Sequence, residues 1–562
     1  MRALFLFAVL AVSAVAQNLT LEQKQSDFRH VVNVVNNWYA PLDWKKQVFG
    51  VDGLDLKSWQ ERIARTKTDL EYYELLVEYT ASLQDSHTRY SLPSDFVARL
   101  GLTLDVFEGK VLIESINRTL LPMREFPFAV GDEVLAVDGV PVEEVLARFR
   151  KYGSSGHPQS TLRMAAAYIA LRPQSVMPHA SQLGDSSTFL VRRAGGEEGT
   201  YTLEWIKTGT PLEVGAAPTQ RRTSRIGSTA AVAEPQQGLV DQLGYDAVPM
   251  PEAVAEVLAY GARNPVFFGG LGNTFTRRMG GAAMDQFFSG VFRHDGLNIG
   301  FLRIPTFSPA SAGLALQQLD REIVWMQENT DGLIVDVTRN PGGAACFREE
   351  ALRRFSPHSI SVTGYEMRAQ YSIMMQLYSA MLAAKATNAG PVIIQEYERI
   401  YEALAAANRE SRGLTEVIPL CTSSLTREPV RDPTGNILAY ARPMVLLTDT
   451  FSASSADAFA AVFQDNDLGL LIGTRTNGAG GTILGLPAGA WSEGTITVTR
   501  ALQARRAPVS VEGYPTTRRI ENVGVHPDIV LDYMTRENLV TNGAPFVREF
   551  LARAAEHIRS RQ

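Results

Sequence analysis

Residues Pro443–Gly481, PMVLLTDTFSASSADAFAAVFQDNDLGLLIGTRTNGAGG, carry the pattern on which the fold turns. Pro443–Thr448 is a continuous apolar run, as a buried strand requires. Asp449–Ser454 is small and polar, suited to a tight turn. From Ser454 to about Gln464, Ala458, Phe459, Val462 and Phe463 fall on one helical stripe. A second apolar strand, Leu468–Ile472, precedes the glycine-rich Thr474–Gly481. Strand, sharp turn with serine, then helix is the geometry that lifts a hydroxyl out of the backbone beside a helix N-terminus. Free N–H groups and the helix dipole can stabilise an oxyanion there. On this stretch alone, Ser452, Ser454 and Ser455 read equally well as a nucleophile with its neighbours or as N-caps.

The flanking chain sets bounds. Its 562 residues suffice for roughly three domains at about 150 residues each. Hydrophobic content of 45% against 20% charged is ordinary for a globular protein. The net charge of −6 is spread, so neither nucleic acid nor an anionic membrane is an evident partner. Met1-Arg2, an apolar Ala3–Val12 and Ala14-Val15-Ala16 form a secretory signal peptide, 1–16, too short to span a bilayer. No later run has spanning length, so a secreted chain without a stable membrane anchor is expected. Asn18 and Asn117 open glycosylation sequons. Cys346 and Cys421, the only cysteines, leave a disulfide and two buried thiols equally open. No HExxH and no cysteine–histidine cluster occurs, so neither a metal nor any other cofactor is expected.

Residues 17–97 read as a helical region, with stripes Phe28/Val31/Val32/Val35 and Tyr72/Leu75/Leu76/Tyr79/Leu83 leading into QDSHTRY at 84–90. Residues 98–206 alternate apolar and polar with frequent glycine, and contain GDEVLAVDG at 131–139. That phrase resembles the signature of a PDZ module, which either takes a peptide by strand addition or only braces its neighbour. Residues 207–295 read as a linker or mobile segment, rich in Gly, Ala, Pro and Thr with Arg221, Arg222 and Arg225 within it. From 296 to 562 the pattern is α/β: a strand at Ile299–Ile304, a helix at Leu314–Met326, and a strand at Gly332–Val337 ending in TRNPGG. A helical insertion is expected at 357–440, and edge strands at Gly494–Val498 and Pro508–Val511.

Together, QDSHTRY, GDEVLAVDG, IGFLRI, VDVTRNPGG, FSASSAD, FQDNDLGLLIGTRTNGAGG and IENVGVHPD resemble the superfamily of tail-specific (C-terminal processing) serine proteases. The resemblance spans most of residues 60–535 and implies a ClpP/crotonase-like core acting on a protein or peptide substrate. Tail-specific members use a serine–lysine dyad with the lysine about 25 residues past the serine. Here that position, counted from Ser454, is Ala479, and no lysine follows Lys385. The pattern is instead similar to the tricorn-type and chlamydial protease-like activity factor branch, whose histidine comes from the N-terminal half and whose glutamate precedes GVxP.

That branch implies Ser454 as nucleophile, His87 as base and Glu521 as the carboxylate that orients it. It also implies Ser86 as a relay between the two, and the N–H groups of Ser455 and of Gly342 or Gly343 as oxyanion donors. His526 is the rival base. A homodimer, and maturation by a cut between about 208 and 240, are implied by the same branch. The competing expectation is a catalytically inactive protein of this fold that binds peptide or an apolar ligand.

Overall fold

All five residues of Met444–Thr448 and of Gly332–Asp336 are buried, as continuous apolar runs require. Their side chains alternate between two cores. Val335 and Leu446 pack with Phe459 and Val462 of the helix Ser455–Asp465. Ile334, Val445 and Leu447 pack with Phe546, Phe550 and Ile558 of the helix Ala544–Ser560. In this computed structural model, which describes residues 18–212, 243 and 247–561, these strands are central to a seven-stranded sheet. Its order is Phe275–Met279, Phe288–His294, Leu297–Arg303, Gly332–Asp336, Met444–Thr448, Leu470–Gly473 and Ile529–Val530. The first three strands are antiparallel, and from Leu297 onward neighbours run parallel.

Two expectations are corrected here. The segment 207–295 is not a linker throughout, because Phe275–Met279 and Phe288–His294 open the seven-stranded sheet. Their glycine-rich surroundings mask a phenylalanine core of Phe275, Phe288, Phe292 and Phe301. The supposed edge strands are one long strand, Thr495–Val509, at the centre of a second sheet. It pairs with Arg89–Ser91, Gly364–Met367, Gly481–Pro487 and Thr517–Arg519. Arg500 and Arg505 interrupt its pattern in sequence, yet both are buried, and Arg505 is paired with Asp465.

The N-terminal helices follow their stripes. Thr20 and Gln23 form a capping box on Leu21–Trp38, whose Phe28, Val31 and Val35 pack with Tyr72, Leu76 and Tyr79 of Asp69–Ser82. The β-rich module comprises Leu102–Phe107, Lys110–Ile116, Glu133–Val137, Ser186–Arg192 and Glu198–Glu204, with helices Val142–Phe149 and Pro158–Ala170. The insertion holds the helices Tyr371–Ala386 and Pro391–Arg409, and also the strand Gly364–Met367 that joins the second sheet. Cys346 and Cys421 are disulfide-bonded, fastening the insertion to the helix Ala345–Leu352. Asn18 and Asn117 are exposed. The signal peptide and residues 213–240 lie outside the described residues.

Candidate active site

Ser454 sits between the strand Met444–Thr448 and the helix Ser455–Asp465 with φ +60° and ψ −112°. A non-glycine residue in that region costs about 1–3 kcal/mol and persists only where its surroundings hold it. Three bonds do so. Ser454 N–H donates to Asp457 Oδ2 (2.7 Å), Ala453 N–H to the Asn340 carbonyl (2.9 Å), and Ala458 N–H to the Ser454 carbonyl (3.0 Å). The other two serines are engaged elsewhere. Ser452 Oγ donates to the Val337 carbonyl at 2.8 Å, and Ser455 Oγ to the Gly343 carbonyl at 3.2 Å.

His87 is delivered from the far end of the chain. The turn after Asp69–Ser82 leads directly into Arg89–Ser91, which pairs with the long strand in the register Arg89↔Thr497. His87 N–H donates to Asp85 Oδ1 at 2.8 Å, and Thr497 Oγ1 donates to the His87 carbonyl at 2.7 Å. The backbone thus fixed places His87 Nε2 at 2.9 Å from Ser454 Oγ. Carboxylate oxygens of Glu521 and Asp85 and a ring nitrogen of His87 lie within 4.8 Å of one another. Ser454, His87 and Glu521 are therefore brought together, and all three are fully buried.

Residues 298–531 match peptidase family S41, and residues 97–213 match a PDZ domain. The catalytic core is a peptidase family S41 domain. The assignment makes the chain a serine-type peptidase. A Chlamydia trachomatis serovar D protein is 24% identical over 567 residues, covering 93% of this chain and 90% of that protein. A Chlamydia muridarum protein is 23% identical, with 93% and 90% covered. Among solved structures, mature CPAF complexed with lactacystin superposes with a TM-score of 0.71 at 21% identity. The match covers 96% of this chain and 99% of that one, and is a likeness of fold.

Within the S41 domain, the turn at Pro341–Gly343 lies against Ser454. A Cβ on Gly342 would come 2.7 Å from Ser454 Cβ and 2.9 Å from Ser455 N, so only glycine allows this approach. Gly342 N–H donates to Asn340 Oδ1 at 2.8 Å, which commits it inside the turn. Ser455 N–H is at the first position of its helix, where no intrahelical acceptor exists. Ser86 is placed differently from the expected relay: its hydroxyl donates to Asn477 Oδ1 at 2.7 Å. His526 lies outside this constellation, its carbonyl accepting from Gln464 Nε2 at 3.1 Å. Ala479 is fully buried in the cluster that holds Ala453 and Phe451.

Several site residues escaped the sequence reading. Asp457 Oδ1 accepts from Gly478 N–H (2.8 Å), and its Oδ2 accepts from Ala479 N–H (3.0 Å) as well as from Ser454 N–H. Burial pushes its carboxyl up to about 6 against the pull of these donors. Gly480 N–H in turn donates to Glu521 Oε2 at 3.0 Å, so the glycine-rich loop joins the elbow to the Glu521 carboxylate. Burial first, then the charge of Asp85, raise the Glu521 carboxyl to about 8 against the pull of Lys45 and the Gly480 N–H. Burial also presses the Asp85 carboxyl upward. Lys45, His87 and the Thr499 hydroxyl outweigh it and hold Asp85 below the usual carboxylate range. Asp85 stands in the QDSHTRY phrase and so was open to detection. Lys45 carried no signal.

Lys45, on the helix Leu42–Phe49, is fully buried. Its ammonium donates to Glu521 Oε1 (2.5 Å), Asn522 Oδ1 (2.7 Å) and the Gln84 carbonyl (2.8 Å). Asp85, His87 and Glu521 form the one group with metal-ligand spacing among the described residues, and the Lys45 ammonium already occupies a cation's place on Glu521.

The PDZ domain braces the elbow. Ser160 Oγ on its helix Pro158–Ala170 donates to the Thr450 carbonyl at 2.6 Å, and Arg163 lies 4.4 Å over the Phe451 ring. Asn477 Nδ2 donates to Ser160 Oγ at 3.1 Å, completing a path from that helix to Ser86. Past the undescribed stretch, Val248 N–H donates to the Pro341 carbonyl at 3.0 Å and Tyr260 packs on Phe451. The chain from 247 to 261 therefore runs beside the elbow and the Pro341–Gly343 turn.

Proposed function

We propose that the chain is a secreted serine endopeptidase that cleaves peptide bonds through an acyl-enzyme on Ser454. The observation that carries this reading is the 2.9 Å contact between His87 Nε2 and Ser454 Oγ on a strained elbow. A serine hydroxyl is a weak nucleophile until a base takes its proton, and imidazole does so near neutral pH. As Ser454 Oγ adds to the scissile carbonyl, its proton passes to His87 Nε2 and the imidazolium forms beside Glu521. The carbonyl oxygen, now negative, is met at the N-terminus of the helix Ser455–Asp465 by the Ser455 N–H, with the Pro341–Gly343 turn alongside. His87 then returns the proton to the leaving amine, and water repeats the sequence to release the acyl group.

Secretion rests on the 1–16 signal pattern, and N-terminal sequencing of exported protein reads it. The homodimer implied by the branch is part of the same reading, and light scattering on the purified chain reads it. The full burial of Ser454 and His87 favours a second element, activation by a cut within 208–240. Fluorophosphonate labelling with mapping of the adduct tests the core of the proposal. Wild type should label on Ser454, and Ser454→Ala should neither label nor hydrolyse while keeping its melting temperature. An adduct on Ser452 or Ser455 would overturn the assignment, and a folded, processed protein with no adduct would favour the inactive binding protein.

A further inference from the structure

The cluster around His87 holds two buried carboxylates, Asp85 and Glu521, and one ammonium. Lys45 spends its three N–H donors on both of the turns that bring the triad together. One donor goes to the Gln84 carbonyl, three residues before His87, and the others go to Glu521 and its neighbour Asn522. The adjacent Trp44 donates its indole N–H to the same Asn522 Oδ1 at 3.2 Å, and Asn522 Nδ2 donates to the Gln84 carbonyl at 3.0 Å. The other charged and titratable groups facing this pair are accounted for. Asp85 is bonded to Thr499 Oγ1 (2.7 Å) and Thr88 Oγ1 (3.1 Å), Tyr39 is fully buried beside it, and Arg519 is turned away to Glu366.

We infer that Lys45 is a positioning residue of the peptidase site: it docks the histidine turn on the glutamate turn and supplies the charge that favours the ionised form of Glu521 opposite the imidazolium. The inference rests on the triad reading above and deepens it. The charge count gives the reason. When both carboxylates are ionised and Lys45 is present, the cluster carries one net negative charge, which the imidazolium cancels as it forms. Without Lys45, two like charges share one dry site, and the energetically easier course is for Glu521 to take a proton. A protonated Glu521 cannot stabilise imidazolium, so chemistry would wait for a higher pH.

Lys45→Met, Glu521→Gln and the double variant test this, using full-length processed protein, a peptide substrate, and Ser454→Ala as blank. Serine-dependent hydrolysis in wild type must be seen first. Its absence sinks the triad reading and leaves the inference about Lys45 without a subject. Given that activity, Lys45→Met should lower kcat/KM roughly 100-fold, the scale for losing one fixed charge-stabilising partner. The acidic limb of its pH–rate profile should move up by about 1 to 3 pH units, the usual effect of removing an adjacent opposite charge. In the Glu521→Gln background the same substitution should cost little more. An unmoved limb in folded Lys45→Met, or full additivity with Glu521→Gln, overturns the inference. Should Lys45→Met fail to fold, the double variant decides: recovery of a folded protein fits a stranded carboxylate, and no recovery overturns the inference.

Discussion

Asp457→Asn separates what the buried carboxylate costs from what it holds in place. Asp457 is fully buried, and its carboxyl is raised from 3.8 to about 6. A group with a raised folded value binds its proton more readily in the fold than in the open chain. Stability is therefore greatest below the unfolded value and falls as pH climbs from about 4 to 6, after which the difference is constant. The shift amounts to about 3 kcal/mol at neutral pH, at 1.36 kcal/mol per unit. Asparagine cannot ionise, so this pH dependence should vanish from the variant. The amide oxygen, placed at Oδ2, keeps Ser454 N–H and Ala479 N–H, but its NH2 then faces Gly478 N–H. That mismatch costs about 1–3 kcal/mol, the penalty for a buried donor left without an acceptor. Near pH 7 the two effects nearly cancel, whereas near pH 4.5 the variant should be the less stable protein. Urea unfolding of both proteins at pH 4.5, 5.5, 6.5 and 7.5 measures the difference, and other groups drop out of it. A difference that stays flat across this range would refute the reasoning. Activity should fall at every pH, because the unmatched Gly478 N–H loosens the loop that also holds Glu521 through Gly480 N–H.

His87→Ala should lose several orders of magnitude in kcat/KM, while His526→Ala should keep most of the activity; peptide hydrolysis against pH reads both, and the reverse result would reassign the base. Replacing Cys346 and Cys421 with serine opens a loop of 75 residues, worth about 4 kcal/mol by loop entropy. Thermal unfolding should show the insertion melting earlier, and an unchanged profile would refute a stabilising role. Intact-mass analysis of wild type beside Ser454→Ala should show a cut between about 208 and 240 in wild type alone. Cutting in both would assign it to another protease, and an uncut, fully active wild type would remove the maturation step.

The elbow was legible because its strand, turn and helix are each stated locally by apolar run, small residues and stripe. The grouping of Ser454, His87 and Glu521 was legible only through ordered motifs, since nothing local ties His87 to a serine 367 positions away. What stayed hidden shares one physical feature: charge taken out of water. Lys45 stands in Trp44-Lys45-Lys46, and a lysine on a short helix reads as solvated surface until the Glu521 turn is packed on it. Asp457 reads as an acidic residue in a helix's first turn, and Arg500 and Arg505 read as strand breaks, yet all three are buried. The strands Phe275–Met279 and Phe288–His294 failed for another reason. Their pairing partners are tertiary, and the glycines between them carry the appearance of a loop.

Those buried charges also explain how a strained serine can be held by segments so distant in the chain. Three buried ties converge on the site. Lys45 joins the N-terminal helices to Glu521 and Asn522. Asp457 joins the elbow helix to the loop that also grips Glu521 through Gly480. Asn477 joins the PDZ helix at Ser160 to Ser86, next to the base. Breaking the Lys45–Glu521 ion pair on one side costs about 3–5 kcal/mol, more than the strain stored at Ser454. The elbow can therefore stay in its unfavourable conformation only while the ties hold, and loosening any one of them should be felt at the hydroxyl before it is felt by the fold.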